Sequence, residues 1–232
     1  MMHREEALLQ NYRDICSSLK AAAERVGREA QKITLLAVVK YASDEDVLAL
    51  LKQGVLTDVG ESRVQQAWAR WQEDPRFAPF SKVRKHFIGH LQTNKAAKAA
   101  QLFDFIDSID SPETVRALAK HVPAGKILRV LVQVKLTHKQ TQSGLPLPQA
   151  RQLAARLRGA FENIDVCGYM AVAPQGADAP TLRALFKPLA HAFETDFATH
   201  PGAQLSLGMS EDFEIAVEEG STLPRIGSLL FK

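Results

Sequence analysis

Cysteine is scarce. The chain holds two in 232 residues, Cys16 and Cys167. Two thiols build neither a zinc site nor a disulfide framework by themselves, and free thiols in a reducing compartment are the expectation. Long apolar runs are missing, and no stretch approaches the roughly 20 residues of a membrane helix. A strong charge of either sign is missing as well. Lys and Arg number 29 against 26 Asp and Glu, and the formal net charge of +3 is dispersed along the chain, which speaks against a nucleic-acid surface. The start, Met1-Met2-His3-Arg4-Glu5-Glu6, has no apolar segment behind it, so no signal or transit peptide is read there. No linker, repeat or low-complexity segment marks a second domain. What is present is ordinary globular usage, 46% apolar and 24% charged residues, which argues against wholesale disorder. A cytoplasmic protein is expected.

Periodicity organises the rest. Leu8, Tyr12, Ile15, Leu19, Ala22 and Val26 form one apolar helical stripe, with Gly27 as its C-cap. Apolar, β-branched runs then alternate with helical patterns. Strands are expected at 33–39, 57–60, 86–90, 103–109, 127–136, 166–172, 205–208 and 223–230. Between them come helices capped by Ser43, starting at Pro112, or opening at Ser210. Pro188 is expected to kink or split the helix over 181–197. Eight strand–helix units of about 29 residues each imply a parallel α/β sheet closed into a single (β/α)8 TIM barrel. The last strand has no helix after it, and the N-terminal helix would fill that place in the outer ring, so residues 1–232 are expected to form one domain.

In such barrels, sites lie at the C-terminal ends of the strands. That rule selects Lys40, Glu61 to Arg63, His90 to Asn94, Ser108, Asp110, Lys135, Met170 to Pro174, Met209, Ser210, Gly227 and Ser228. Lys40 directly follows Ala37-Val38-Val39, where a desolvated amine becomes a nucleophile able to form a Schiff base; the plainer alternative is a lysine snorkelling from the barrel mouth. Ser210 with Arg225-Ile226-Gly227-Ser228 lies on the loops that often bind phosphate in this fold. Alternatively Ser210 is a plain N-cap and Gly227 a tight turn. His86 and His90 share a strand face, but no third metal ligand accompanies them, and no metal site is expected.

The stretches Leu36-Ala37-Val38-Val39-Lys40, Gly60-Glu61-Ser62-Arg63-Val64-Gln65, His86-Phe87-Ile88-Gly89-His90-Leu91-Gln92, Gly208-Met209-Ser210 and Gly220-Ser221-Thr222-Leu223-Pro224-Arg225-Ile226-Gly227 resemble the pyridoxal phosphate homeostasis protein family, over nearly the whole chain and in the same order. That family is similar to the barrel domain of alanine racemase standing alone. The resemblance implies pyridoxal 5′-phosphate (PLP) held as an aldimine on Lys40. It also implies Arg225 facing the pyridine nitrogen, Ser210, Gly227 and Ser228 holding the phosphate, and His86 and Met209 around the ring, with Ser62 near the cofactor. Ser62 stands where the family usually has asparagine, as does Lys135, and Gln142 stands where it commonly has lysine.

Arginine stays charged and takes no proton from the pyridine nitrogen, so the ring remains a poorer electron sink than a pyridinium paired with aspartate. Racemases of this fold add a tyrosine base from a second domain. Here the tyrosines are Tyr12, Tyr41 and Tyr169, and none is an obvious substitute. The expectation is therefore a monomeric PLP-binding protein that buffers the cofactor or delivers it to apo-enzymes, with no catalytic residues and no enzyme activity of its own. The alternatives are a PLP-dependent amino-acid racemase-like enzyme and a Schiff-base aldolase without PLP.

Overall fold

A computed structural model describes residues 2–137 and 142–232. Helix α1 (Met2–Arg25) comes first. It ends in the C-cap expected at Gly27, whose φ is +69°. There Arg28 N–H bonds Ala23 O at 2.9 Å and Gly27 N–H bonds Glu24 O at 3.1 Å, which satisfies the last carbonyls of the helix.

Among the described residues eight strands pair in parallel: β1 (Leu36–Val38), β2 (Asp58–Glu61), β3 (Arg84–Phe87), β4 (Phe105–Ile109), β5 (Leu128–Val134), β6 (Ile164–Ala171), β7 (Gln204–Ser206) and β8 (Arg225–Ile226). Their order is β7-β6-β5-β4-β3-β2-β1-β8. The seam between β7 and β8 is closed by backbone bonds: Thr222 and Leu223 N–H reach Leu205 O at 2.9 and 3.1 Å, and Arg225 N–H reaches Gly208 O at 2.9 Å. The result is the barrel that the eightfold alternation implied.

Alternate strand residues face two different environments, as a two-residue period requires. Ala37, Val59, Phe87, Ile106, Val130, Tyr169 and Ile226 belong to the large outer core, packed under the helices. Leu36, Phe105, Leu131, Cys167, Met170 and Leu223 form a smaller cluster inside the ring. The interior is mixed, because Asp58, His86, Asp107 and Arg225 are also buried there.

The outer helices are α2 (Asp44–Lys52), α3 (Val64–Trp68), α4 (Ala96–Leu102), α5 (Pro112–Ala119), α6 (Leu147–Leu157), α7 (Ala179–Phe197) and α8 (Phe213–Glu218). Ser43 caps α2 by accepting from Asp46 N–H, and three acids in its first turn complement the dipole. Helix α1 packs against both α2 and α8. Arg4 pairs with Asp46 at 2.7 Å, and Arg25 with Glu214 and Glu218 at 2.8 and 2.6 Å. The N-terminal helix thus occupies the gap in the outer ring.

Several boundaries differ from the sequence expectation. β1 starts at Leu36, because residues 30–32 form a 3-10 turn closed by Ile33 N–H on Ala30 O. β8 ends at Ile226, because Gly227 O accepts from both Leu230 and Phe231 N–H and turns the chain away. α8 begins at Phe213, so Ser210 is not its N-cap. The carboxylate of Asp212 accepts Met209 N–H at 2.5 Å and holds a turn ahead of the helix. α7 runs through Pro188 without splitting. α3 passes into a π turn over Ala69–Glu73 rather than continuing as α-helix.

Candidate functional site

Lys40 lies just beyond β1, at the first central position of a β-turn closed by Ala42 N–H on Val39 O at 3.1 Å. Its Nζ sits 5.1 Å from the centroid of the Tyr41 ring. Among the described residues it has no hydrogen bond and no ion pair. Tyr41 itself is 80% exposed, so this lysine is at the mouth of the barrel.

Ser62 follows β2 and is half-buried. Its main chain is pressed against Gly89, where a Cβ would collide with the Ser62 carbonyl. Ser108 Oγ donates to Gly89 O at 2.5 Å, so the ends of β2, β3 and β4 are tied at this corner.

On the opposite rim the loops after β7 and β8 carry Met209, Ser210, Gly227 and Ser228. Met209 is partly exposed, and its carbonyl accepts from Asp212 and Phe213 N–H at 3.1 and 2.9 Å. The hydroxyls of Ser210 and Ser228, and their N–H groups, find no partner among the described residues. Gly227 is needed for contact between strands, since a Cβ there would come within 3.1 Å of Val38 O.

Arg225 lies beneath this rim, 4% exposed. Its Nη1 donates to the carbonyl and hydroxyl of Ser206 at 2.8 and 2.7 Å, and Nη2 to Ala171 O at 2.8 Å. That commits three of its five N–H groups. Burial lowers its pKa to about 10, opposed by Asp107 and Asp212, so it stays cationic at neutral pH.

His86 is buried in the barrel interior. By register it is level with Gly60 and Val38, two residues before Lys40. Its Nδ1 is 3.1 Å from Asp107 and its Nε2 3.1 Å from Asp58, and its ring stacks on Phe105 at 4.1 Å. Burial pulls its pKa down, but the two carboxylates outweigh burial and push it up to about 9. At neutral pH it is therefore a doubly paired cation. His86 is fully buried with both nitrogens engaged.

The sequence reading missed a second network. Glu61, at the end of β2, is 1% exposed. It accepts from Arg70 Nη1 at 2.8 Å and from Trp71 Nε1 at 3.2 Å. Arg70 lies in the π turn, and no periodicity in the sequence signals such a turn. A buried acid ending a strand was the one available clue. Gln142 was expected only as a departure from the family pattern. It has a structural task, donating to Val172 O at 2.7 Å and accepting from Thr137 N–H at 3.0 Å.

Lys40, Ser210 and Ser228 thus follow strands at one end of the barrel, their side-chain polar groups without hydrogen-bond partners among the described residues, and the buried guanidinium of Arg225 lies nearby in β8. The donors suit an anion such as a phosphate ester, and the amine suits an aldehyde. Among the described residues no group of three or more His, Cys, Asp or Glu could hold a metal.

No family model matches the chain. A curated relative from Vibrio alginolyticus, named pyridoxal phosphate homeostasis protein, is 31% identical over 227 residues, covering 97% of each chain. The solved structure of PipY from Synechococcus elongatus, with PLP bound, superposes with a TM-score of 0.77 at 29% identity, covering 93% of this chain and all of that one. Alanine racemase from Clostridium difficile gives a TM-score of 0.69 at 16% identity, over 96% of this chain and 56% of the racemase, a likeness of fold alone.

Proposed function

The chain belongs to the pyridoxal phosphate homeostasis protein family, and from that premise we propose that it binds pyridoxal 5′-phosphate at the barrel mouth and buffers or delivers it. The observation that carries this is the convergence of Lys40, without polar partners, and the unpartnered Ser210 and Ser228 donors at one end of the barrel. When bound, PLP supplies an aldehyde that condenses reversibly with a primary amine, releasing water, and an electron-withdrawing ring. Lys40 supplies the amine. Ser210 and Ser228 hold the phosphate, and Gly227 lets their loop close against β1. Arg225 offers its uncommitted N–H groups to the pyridine nitrogen, and Met209 and Ser62 flank the ring. His86 stands with them around the ring.

Buffering rather than turnover is favoured by two features. A guanidinium fixed by Ser206 and Ala171 gives the pyridine nitrogen a donor without a transferable proton. And Tyr169, one of three tyrosines, is directed to the outer layer, with its hydroxyl on Asp196 at 2.7 Å, away from any substrate at the mouth. We take residues 1–232 as one barrel domain acting as a cytoplasmic monomer. In support, both cysteines are free thiols. Strongly exposed large apolar side chains among the described residues are few: Val26, Tyr41, Ile127 and Met209. The recipients would be apo-enzymes that use PLP.

The test is spectroscopic. The protein incubated with PLP shows a visible Schiff-base band, and borohydride followed by peptide mass mapping places the adduct on Lys40. Lys40→Ala loses the band and keeps weaker, phosphate-anchored binding. A wild-type chain that takes up no PLP refutes the proposal. Amino-acid racemisation at a turnover of order 1–1000 per second refutes its carrier half.

A further inference from the structure

We propose that Arg70 is a positioning residue that aims Lys40 at its ligand; this rests on Lys40 being the attachment point. Lys40 and Tyr41 are the two central residues of the β-turn from Val39 to Ala42. Arg70 grips that turn at both ends. Its Nη1 donates to Val39 O at 3.0 Å and its Nη2 to Ala42 O, also at 3.0 Å. A guanidinium presents its donors in a rigid planar fork, so two carbonyls held on one fork cannot move independently. Val39 O already accepts Ala42 N–H, and Arg70 therefore locks the hydrogen bond that defines the turn.

The fork is itself anchored. Its Nε donates to Asp44 at 2.6 Å, on the first turn of α2, and Nη1 is shared with Glu61 at 2.8 Å. Only 9% of the Arg70 side chain is exposed. Glu61 in turn holds Trp71, whose ring meets Phe77 edge-on at 5.0 Å. The consecutive residues Arg70 and Trp71 both reach the same carboxylate oxygen because they lie in the π turn, whose wider winding brings neighbouring side chains to one side. Such turns recur at functional sites. Glu61 directly precedes Ser62, so a single buried pair couples the turn bearing Lys40 to the β2 loop bearing Ser62. Nothing else among the described residues holds the Lys40 side chain by a hydrogen bond. Its direction is set through its backbone.

The test separates aiming from binding. Pyridoxine 5′-phosphate keeps the ring and phosphate but lacks the aldehyde, so it reads the pocket without Lys40. Burial already pushes Glu61 upward despite Arg70, and a single Arg70→Met would leave that acid without its cation, with Trp71 Nε1 as the remaining donor. The double variant Arg70→Met/Glu61→Gln removes both charges together. It is expected to raise the apparent dissociation constant for PLP about tenfold, the effect of roughly one charge-assisted hydrogen bond, while pyridoxine 5′-phosphate binds within about twofold of wild type. Arg70→Lys keeps a cation on Glu61 but loses the planar fork, and is expected to weaken PLP attachment as the double variant does while pyridoxine 5′-phosphate still binds within about twofold of wild type. Equal weakening for both ligands assigns Arg70 a general structural role and overturns the inference, as does unchanged PLP attachment. Wild-type protein without a Lys40 adduct instead overturns the functional proposal on which it rests.

Discussion

The buried imidazolium of His86 makes this barrel's stability depend on pH in a window where few other groups titrate. His86 lies at about 9 in the folded chain against 6.5 in the free side chain. A folded pKa above the unfolded one means that folding takes up a proton. The stabilisation is complete below about pH 6.5 and is lost as pH rises through 9. At about 1.4 kcal/mol per pH unit of separation, the full contribution is about 3 kcal/mol. Roughly 1 kcal/mol of it goes between pH 6 and 7.5, and most of the rest by pH 9.5. Zero exposure for all three members of the Asp58–His86–Asp107 set means that solvent screens this little. The assay is urea unfolding of wild type and His86→Asn at intervals from pH 6 to 9.5. Comparison with the variant removes the contribution of Cys167, which burial and nearby Asp165 push upward. The wild-type advantage is expected to shrink by about 3 kcal/mol across the range. A difference that stays flat would show that His86 is not a cation held by two carboxylates.

Two further perturbations separate binding from folding. Ser210→Ala with Ser228→Ala removes two hydroxyls that bond to nothing among the described residues. Binding of pyridoxine 5′-phosphate is expected to weaken about tenfold, as for two lost hydrogen bonds of ordinary strength, with the urea midpoint unchanged. A lowered midpoint would show that these serines serve the fold. Gly89→Ala drives a Cβ into the Ser62 carbonyl, and backbone cannot yield as a flexible side chain does. It is expected to cost about 1–3 kcal/mol of stability and to weaken Schiff-base formation through the displaced β2 loop. Full stability with an unaltered band would remove Ser62 from the site.

The architecture was legible because its signals are local and repeated. Eight apolar runs alternating with helical stripes leave one arrangement that buries them all, and strand-end residues then mark the mouth. The errors fall where local signals compete. Leu229 and Leu230 extend the apolar run of β8, yet Gly227 O captures two N–H groups and ends it. Ser210 has the side chain of an N-cap, but Met209 O takes the Asp212 and Phe213 N–H groups that follow it. Lys40 could be selected because a charge at the end of a buried strand is expensive wherever it occurs, whereas Arg225 is marked by its place beside Gly227-Ser228 and by the family resemblance. Arg70 could not be, because its value depends on a π turn and on carbonyls 28 and 31 residues away in sequence. The same holds for Asp58 and Asp107, which sit 28 and 21 residues from the histidine they hold.

The inner charges explain why such costly groups are tolerated in so small a barrel. Asp58 and Asp107 carry negative charge against the His86 cation, Arg84 also pairs with Asp58 at 2.7 Å, and Asp107 and Asp212 both act on Arg225. Each cation also has hydrogen-bond partners: carboxylates for His86, and Ser206 and Ala171 for Arg225. A buried cation left unpaired would cost several kcal/mol or lose its proton. Arg225 remains charged with the carboxylates of Asp107 and Asp212 both acting on it. Two of its five N–H groups stay uncommitted and can be presented as donors. The interior therefore does more than fill space. It places a permanent donor under the rim, and that arrangement suits holding a phosphorylated pyridine ring more than activating it.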